Sequence, residues 1–214
     1  MLKIETANRL LSSLVAVALV VLLRICAVGF MPEATGVNAH NVHRERITLK
    51  AADGQIGVFI GENKKPVQML EYNQSALTEL NKDYFFETPD INFDGLSDLT
   101  AIYAQGTQNI YFDGWIWDAQ AQCYVFDPII RTLASPIFDA LGKEITTFEH
   151  ISSTDHIAGV YRYIDGQLTE VERIEQFYDE SDNRFVVRNY VQIDGSLTQV
   201  NEQRLTQEEL EAPA

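Results

Sequence analysis

The sequence predicts a mainly β domain, an antiparallel meander of hairpins with a propeller-like character, carried behind an N-terminal export segment. Three observations predict it. Asp-Gly pairs recur between short runs of branched and aromatic residues from Ile47 onward. An eleven-residue strand–turn–strand pattern occurs twice. A charged N-terminus precedes a short apolar stretch.

The chain has 214 residues and a formal net charge of −15, with 16 Lys and Arg against 31 Asp and Glu. That length suits one sizeable domain plus a signal, and the 46% hydrophobic fraction can build a core without disulfide staples. Residues 1–39 hold only Lys3, Arg9 and Arg24 against Glu5 and Glu33, leaving 13 basic and 29 acidic residues in the remainder. Such a surface repels nucleic acid and anionic lipid, steers towards basic partners, and favours solubility.

Lys3 and Arg9 precede an apolar run over residues 10–23, broken only by Ser12 and Ser13. A charged region before a short apolar one is the layout of a secretory signal, and Arg24 ends the run short of the twenty or so residues that span a bilayer. Small residues mark cleavage sites at Ala27-Val28-Gly29 and Val37-Asn38-Ala39. The competing reading is an uncleaved inner-membrane anchor over residues 10–30, with Arg24 snorkelling to the interface. Either places the body outside the inner membrane, so the expected location is the periplasm. Arg24 and Ile25 before Cys26 do not make a lipoprotein signal. Residues 1–29 are therefore read as signal or anchor, 30–46 as a processing region or tether, 47–206 as the acidic β domain, and 207–214 as a frayed tail. In a processed chain Cys123 stands alone and is expected to be a small buried hydrophobe.

Within the body, Asp53-Gly54, Asp113-Gly114, Asp165-Gly166 and Asp194-Gly195 each lie between β-prone runs, where Gly supplies the positive φ of a tight turn. Val58-Phe59-Ile60, Tyr111-Phe112, Trp115-Ile116-Trp117 and Cys123-Tyr124-Val125-Phe126 read as strands. Residues 75–81 read as a short helix capped by Ser75. The run YRYIDGQLTEV from Tyr161 returns 29 residues later as YVQIDGSLTQV from Tyr190, identical at seven of eleven positions. Two similar hairpins side by side follow, as a meander or a propeller-like stack.

The most specific chemical signal is Asp90-Ile91-Asn92-Phe93-Asp94-Gly95-Leu96-Ser97-Asp98. Oxygen side chains at loop positions 1, 3, 5 and 9 with Gly at 6 can wrap a hard cation. The expected ligands of a structural Ca²⁺ are Asp90, Asn92, Asp94, the Leu96 carbonyl and Asp98. Position 12 is Ala101 instead of the bidentate Glu of an EF-hand, so this is an EF-like loop in a β context. The alternative is a metal-free Asx turn. Elsewhere, His40, His43, His150 and His156 show no HExxH spacing, and neither a Gly-x-Ser-x-Gly elbow nor a phosphate-binding glycine loop is present. The expectation is a protein that is not an enzyme.

Several segments taken in order carry a family resemblance: DINFDGLSDL at 90–99, GTQNIY at 106–111, WIWD at 115–118, residues 124–126, ASPIFD at 134–139 and YRYIDGQLTEV at 161–171. Over residues 84–175 the chain resembles the periplasmic inhibitors that serve as immunity proteins against lysozyme-like effectors of bacterial type IV secretion systems. That family is similar in structure to periplasmic inhibitors of invertebrate-type lysozyme. The resemblance implies a propeller-like β domain with bound Ca²⁺ and an inhibitory loop that plugs a muramidase cleft. The matching loop is Gln105, Gly106, Thr107, Gln108, Asn109, Ile110 and Tyr111, with Tyr111 read either as the aromatic plug or as a core residue beside Phe112. The chain departs from the pattern in lacking a second glycine after Thr107 and a well-formed lipobox. The expected function is a cell-envelope inhibitor of a basic lysozyme-like effector or glycoside hydrolase in bacterial competition. The alternative is a calcium-stabilised envelope scaffold or secretion-associated binding module without inhibitory activity.

Overall fold

Tight turns between β-prone runs organise the chain into strands that pair with their neighbours in sequence. The computed structural model describes residues 47–211. The signal or anchor and the tether predicted for residues 1–46 lie outside the described residues. Of the described residues, 47–204 belong to one compact unit and 205–211 to a smaller one.

The first sheet is β1 (Ile47–Ala52), β2 (Gln55–Ile60) and β3 (Gln68–Glu71). The second is β4 (Phe86–Glu87), β5 (Leu99–Gln105), β6 (Ile110–Asp118) and β7 (Cys123–Asp127). The third runs β8 (Ile137–Asp139), β9 (Glu144–His150), β10 (His156–Ile164), β11 (Gln167–Asp179), β12 (Arg184–Ile193) and β13 (Ser196–Leu205). In each sheet the spatial order follows the chain order, which makes the fold an antiparallel meander. Asp53, Asp165 and Asp194 take φ of 53°, 51° and 51°, and the glycines after them 76°, 77° and 81°, as two-residue hairpin turns require.

The propeller-like arrangement is corrected. Among the described residues the sheets are open and have three, four and six strands, so no set of equal blades forms. The repeat explains why. Its two copies are the β10–β11 and β12–β13 hairpins, and β11 pairs directly with β12 from Glu172↔Val191 to Asp179↔Arg184. Edge-to-edge pairing fuses the copies into one sheet, whereas blades would separate them.

The second sheet contributes side chains to two apolar cores. Ile56, Val58 and Leu70 of the first sheet pack with Leu99, Ile102, Phe112, Trp115 and Tyr124 of the second. On the other side Ile91, Ile130, Leu133 and Ile145 gather Ile116, Phe93, Tyr161 and Tyr163. Full burial of a side chain such as Ile102 is worth roughly 1.5–3 kcal/mol.

Three local readings change. Asp113-Gly114 is not a turn but the middle of β6, which joins the two strands predicted on either side of it. A Cβ on Gly114 would lie 2.7 Å from Ile130 Cγ2, so this glycine admits a neighbouring side chain instead of a positive φ. The helix expected over 75–81 is a single 3₁₀ turn, Gln74–Ala76, capped by Asn73 in place of Ser75. Asn73 Oδ1 takes both the Ser75 amide and hydroxyl at the start of the turn, and Leu77 ends it in an extended conformation with ψ of 124°. In the smaller unit the expected tail includes α1 (Gln207–Glu211). A capping box starts it: Glu209 N donates to Thr206 Oγ1, and Thr206 N donates to Glu209 Oε2.

Candidate functional site

The segment Gln105–Tyr111 forms the β5–β6 hairpin. Gln105 pairs with Ile110, and Gly106 N donates to Asn109 O at 2.8 Å, closing a four-residue loop. Gly106, Thr107 and Gln108 are exposed at its tip, whereas Asn109, Ile110 and Tyr111 are half-buried. The flanks are held from both sides. Asn109 Nδ2 donates to His150 O at 2.8 Å, and His150 N donates back to Asn109 Oδ1 at 2.9 Å, as a strand partner would. Ser135 N donates to Ile110 O, while Gln105 Oε1 accepts from Asn81 Nδ2. Tyr111 therefore sits on the strand below the tip, with its hydroxyl 3.4 Å from Glu149 Oε1. Burial first, and then the Glu149 carboxylate, push the Tyr111 phenol pKa upward.

The acidic loop is built from side-chain-to-amide turns. Asp90 accepts from Asp94 N at 3.0 Å and Gly95 N at 2.8 Å, and Asp94 Oδ1 accepts from Leu96 N at 2.7 Å. Asn92 Oδ1 accepts from Asp94 N, and its Nδ2 donates to Asp94 Oδ2. Gly95 takes φ of 85° in open space, so here glycine answers a backbone demand. Asp98 is placed differently from its neighbours. It is fully buried, with Oδ2 accepting from Ile91 N at 2.7 Å and Oδ1 from Trp117 N at 2.8 Å. Burial pushes its carboxyl up to about 6 against the pull of those amides. Asp98 thus ties the loop to β6 from inside, while Asp90, Asn92 and Asp94 stay on the outer side. No group of three or more His, Cys, Asp or Glu is gathered for a metal ion among the described residues.

Two further arrangements were not singled out in the sequence. Asp113 is buried on β6 and accepts from Arg131 Nε at 2.6 Å. The Arg131 guanidinium carbon lies 4.3 Å from the Tyr103 ring centre and 4.9 Å from that of Phe126. The other arrangement is at the β9–β10 end, where His150 faces His156 across the pair with ring centres 4.9 Å apart. His156 Nδ1 is buried without a hydrogen-bond partner. An Asp inside an aromatic strand segment is the signal that could have exposed the first arrangement, because a buried carboxylate demands a cation. Cys123 begins β7 as a free, half-buried thiol.

A solved structure described as a Xanthomonas type IV secretion system related protein superposes on the chain with a TM-score of 0.51 at 17% identity. The match covers 74% of this chain and 87% of that one. At that identity the likeness is one of fold. No protein-family model and no curated protein matches the sequence. No helix among the described residues is long and apolar enough to cross a membrane.

Proposed function

We propose that the protein is a non-enzymatic inhibitor, an immunity protein of the cell envelope, that presents the β5–β6 tip to the cleft of a lysozyme-like peptidoglycan hydrolase. The observation that carries this reading is an exposed tip, Gly106-Thr107-Gln108, on flanks pinned by Asn109, Ser135 and Asn81. A loop ordered before binding has little conformational entropy left to lose, which suits a plug. Thr107 and Gln108 offer hydrogen-bonding groups to a polar sugar cleft, and Tyr111 braces the strand beneath them. The net charge of −15 favours encounter with a basic enzyme. The fold shared with a type IV secretion related protein is compatible with an envelope setting and with a periplasmic location.

Calcium belongs to the same reading in a structural role. Asp90, Asn92, Asp94 and the Leu96 carbonyl supply hard oxygen donors on the outer side of the loop, the donor type that Ca²⁺ prefers. Asp98 would support that set from within, since both of its oxygens already accept backbone amides. A bound ion would stiffen the entry to β5, the strand that leads to the tip.

The test is hydrolysis of purified peptidoglycan by lysozyme-like muramidases, titrated with the full chain. Loss of activity that saturates near one inhibitor per enzyme is expected for at least one of them. Undiminished hydrolysis across the panel at micromolar protein contradicts the proposal and leaves the binding-module alternative.

A further inference from the structure

Arg131 is held in a way that stability alone does not explain. It follows the buried Ile130 in the 3₁₀ turn Ile130–Thr132, and its Nε is consumed by Asp113, a residue only 2% exposed. Burying a carboxylate is costly, and even a paired one rarely outperforms an apolar residue of similar size. What the pair does achieve is orientation. With Nε fixed at 2.6 Å and the cation lying over Tyr103 and Phe126, the guanidinium plane is set by one ion pair and two rings. The Arg131 side chain nevertheless remains 41% exposed, and Nη1 and Nη2 have no hydrogen-bond partner among the described residues. Tyr103 and Phe126 are themselves 37% and 38% exposed, large fractions for aromatics in a chain with two well-filled cores. The ring of Trp115, the cross-strand partner of Phe126, packs against it with ring centres 5.9 Å apart.

A preorganised, partly exposed guanidinium with two nitrogens left unbonded and aromatic flanks has one natural complement. Its parallel N–H donors match the two oxygens of a carboxylate, and the rings accept a flat or apolar group beside it. We propose that Arg131, framed by Tyr103 and Phe126 and oriented by Asp113, is a binding site for a carboxylate carried next to an apolar or ring-shaped group. The site is independent of the hairpin tip and of any inhibitory activity. In a protein this acidic, a fixed cation is also selective, because the surrounding charge repels small anions that gain nothing from the rings.

The full chain, labelled with ¹⁵N, is titrated with N-acetylphenylalanine, its C-terminal amide, glucuronate and glucose while the Arg131 Nε–Hε resonance is followed. At least one acid is expected to shift that resonance saturably, with the amide and glucose leaving it in place. Which acid binds tighter separates a peptide terminus from an acidic sugar as the source of the carboxylate. Arg131→Lys keeps the charge but loses the fork, and its affinity should fall about tenfold or more, the worth of one charged hydrogen bond. The wild-type resonance needs no variant, so a poorly folded Lys protein does not cloud the result. Equal shifts from acids and neutral compounds, no shift from either acid, or unchanged affinity in a folded Arg131→Lys protein would overturn the site.

Discussion

Asn109 shows how one side chain can fix the geometry of a whole hairpin. Its amide donates to and accepts from the backbone of His150, so a side chain completes a ladder that β9 would otherwise leave open. Asn109→Ala leaves two main-chain groups without partners, which should cost about 2 kcal/mol. For a domain of this size that is a melting temperature lower by roughly 4–8 °C. Amide hydrogen exchange at Gly106, whose N–H is bonded to Asn109 O, should accelerate in the same variant, and unchanged exchange would show that the tip is held by other means. His156 sits close by, and its titration has a definite sign. Burial and then the facing His150 hold its pKa below the usual histidine value, while Asp155 opposes them and Gln176, its partner on β11, carries no charge. The unfolded chain therefore binds the proton first as pH falls below about 6.5. This group's contribution is complete above that pH and is lost on descent towards its folded pKa. The wild type should lose more melting temperature between pH 7 and pH 5 than His156→Phe does; equal losses would exclude His156 as the sensor.

At the scale of elements, the duplicated hairpins offer a controlled comparison. Gly166 and Gly195 take φ of 77° and 81°, and a Cβ at either would meet nothing within 4 Å. Gly166→Ala and Gly195→Ala should each cost about 1–2 kcal/mol from backbone strain alone, and by similar amounts. Gly114→Ala fails for another reason, a collision with Ile130, and should cost about 1–3 kcal/mol. Urea melts of the three variants check both claims, and a silent Gly114→Ala would refute the packing argument. The same contrast shows what was legible in the sequence. Asp-Gly between β-prone runs marked three turns correctly because the local conformation decides them. It misled at Asp113-Gly114, where Arg131 and Ile130 come from another element and turn a turn signal into a buried ion pair and a close contact. Ser75 was likewise displaced as cap by Asn73, two residues earlier. The acidic loop could be delimited from spacing, yet the inward turn of Asp98 depends on the Trp117 amide of β6, which no loop spacing encodes.

Across the whole molecule, charge and metal should act separately. Calcium binding to the folded state alone should stabilise it by about 2.7 kcal/mol at a hundred times Kd, so the melting temperature should climb as calcium is added. Asp94→Ala should abolish that response without altering melting in chelator by more than a few degrees. Identical melts in chelator and in excess calcium would reduce the loop to a turn. The acidic surface should govern how fast an enzyme is met, so inhibition of a basic hydrolase should weaken with salt through slower association. Contact at the tip should govern how long the complex lasts. The most direct measurement is the inhibition constant against one lysozyme-like hydrolase for the wild type, Thr107→Arg and Leu141→Ser. Leu141 is 99% exposed between β8 and β9 and serves as the remote control. A tip that fills the cleft predicts at least about a thirtyfold loss for Thr107→Arg, the scale of a hot spot of 2 kcal/mol or more, with the Leu141 variant unchanged. Equal inhibition by all three folded proteins would contradict the account.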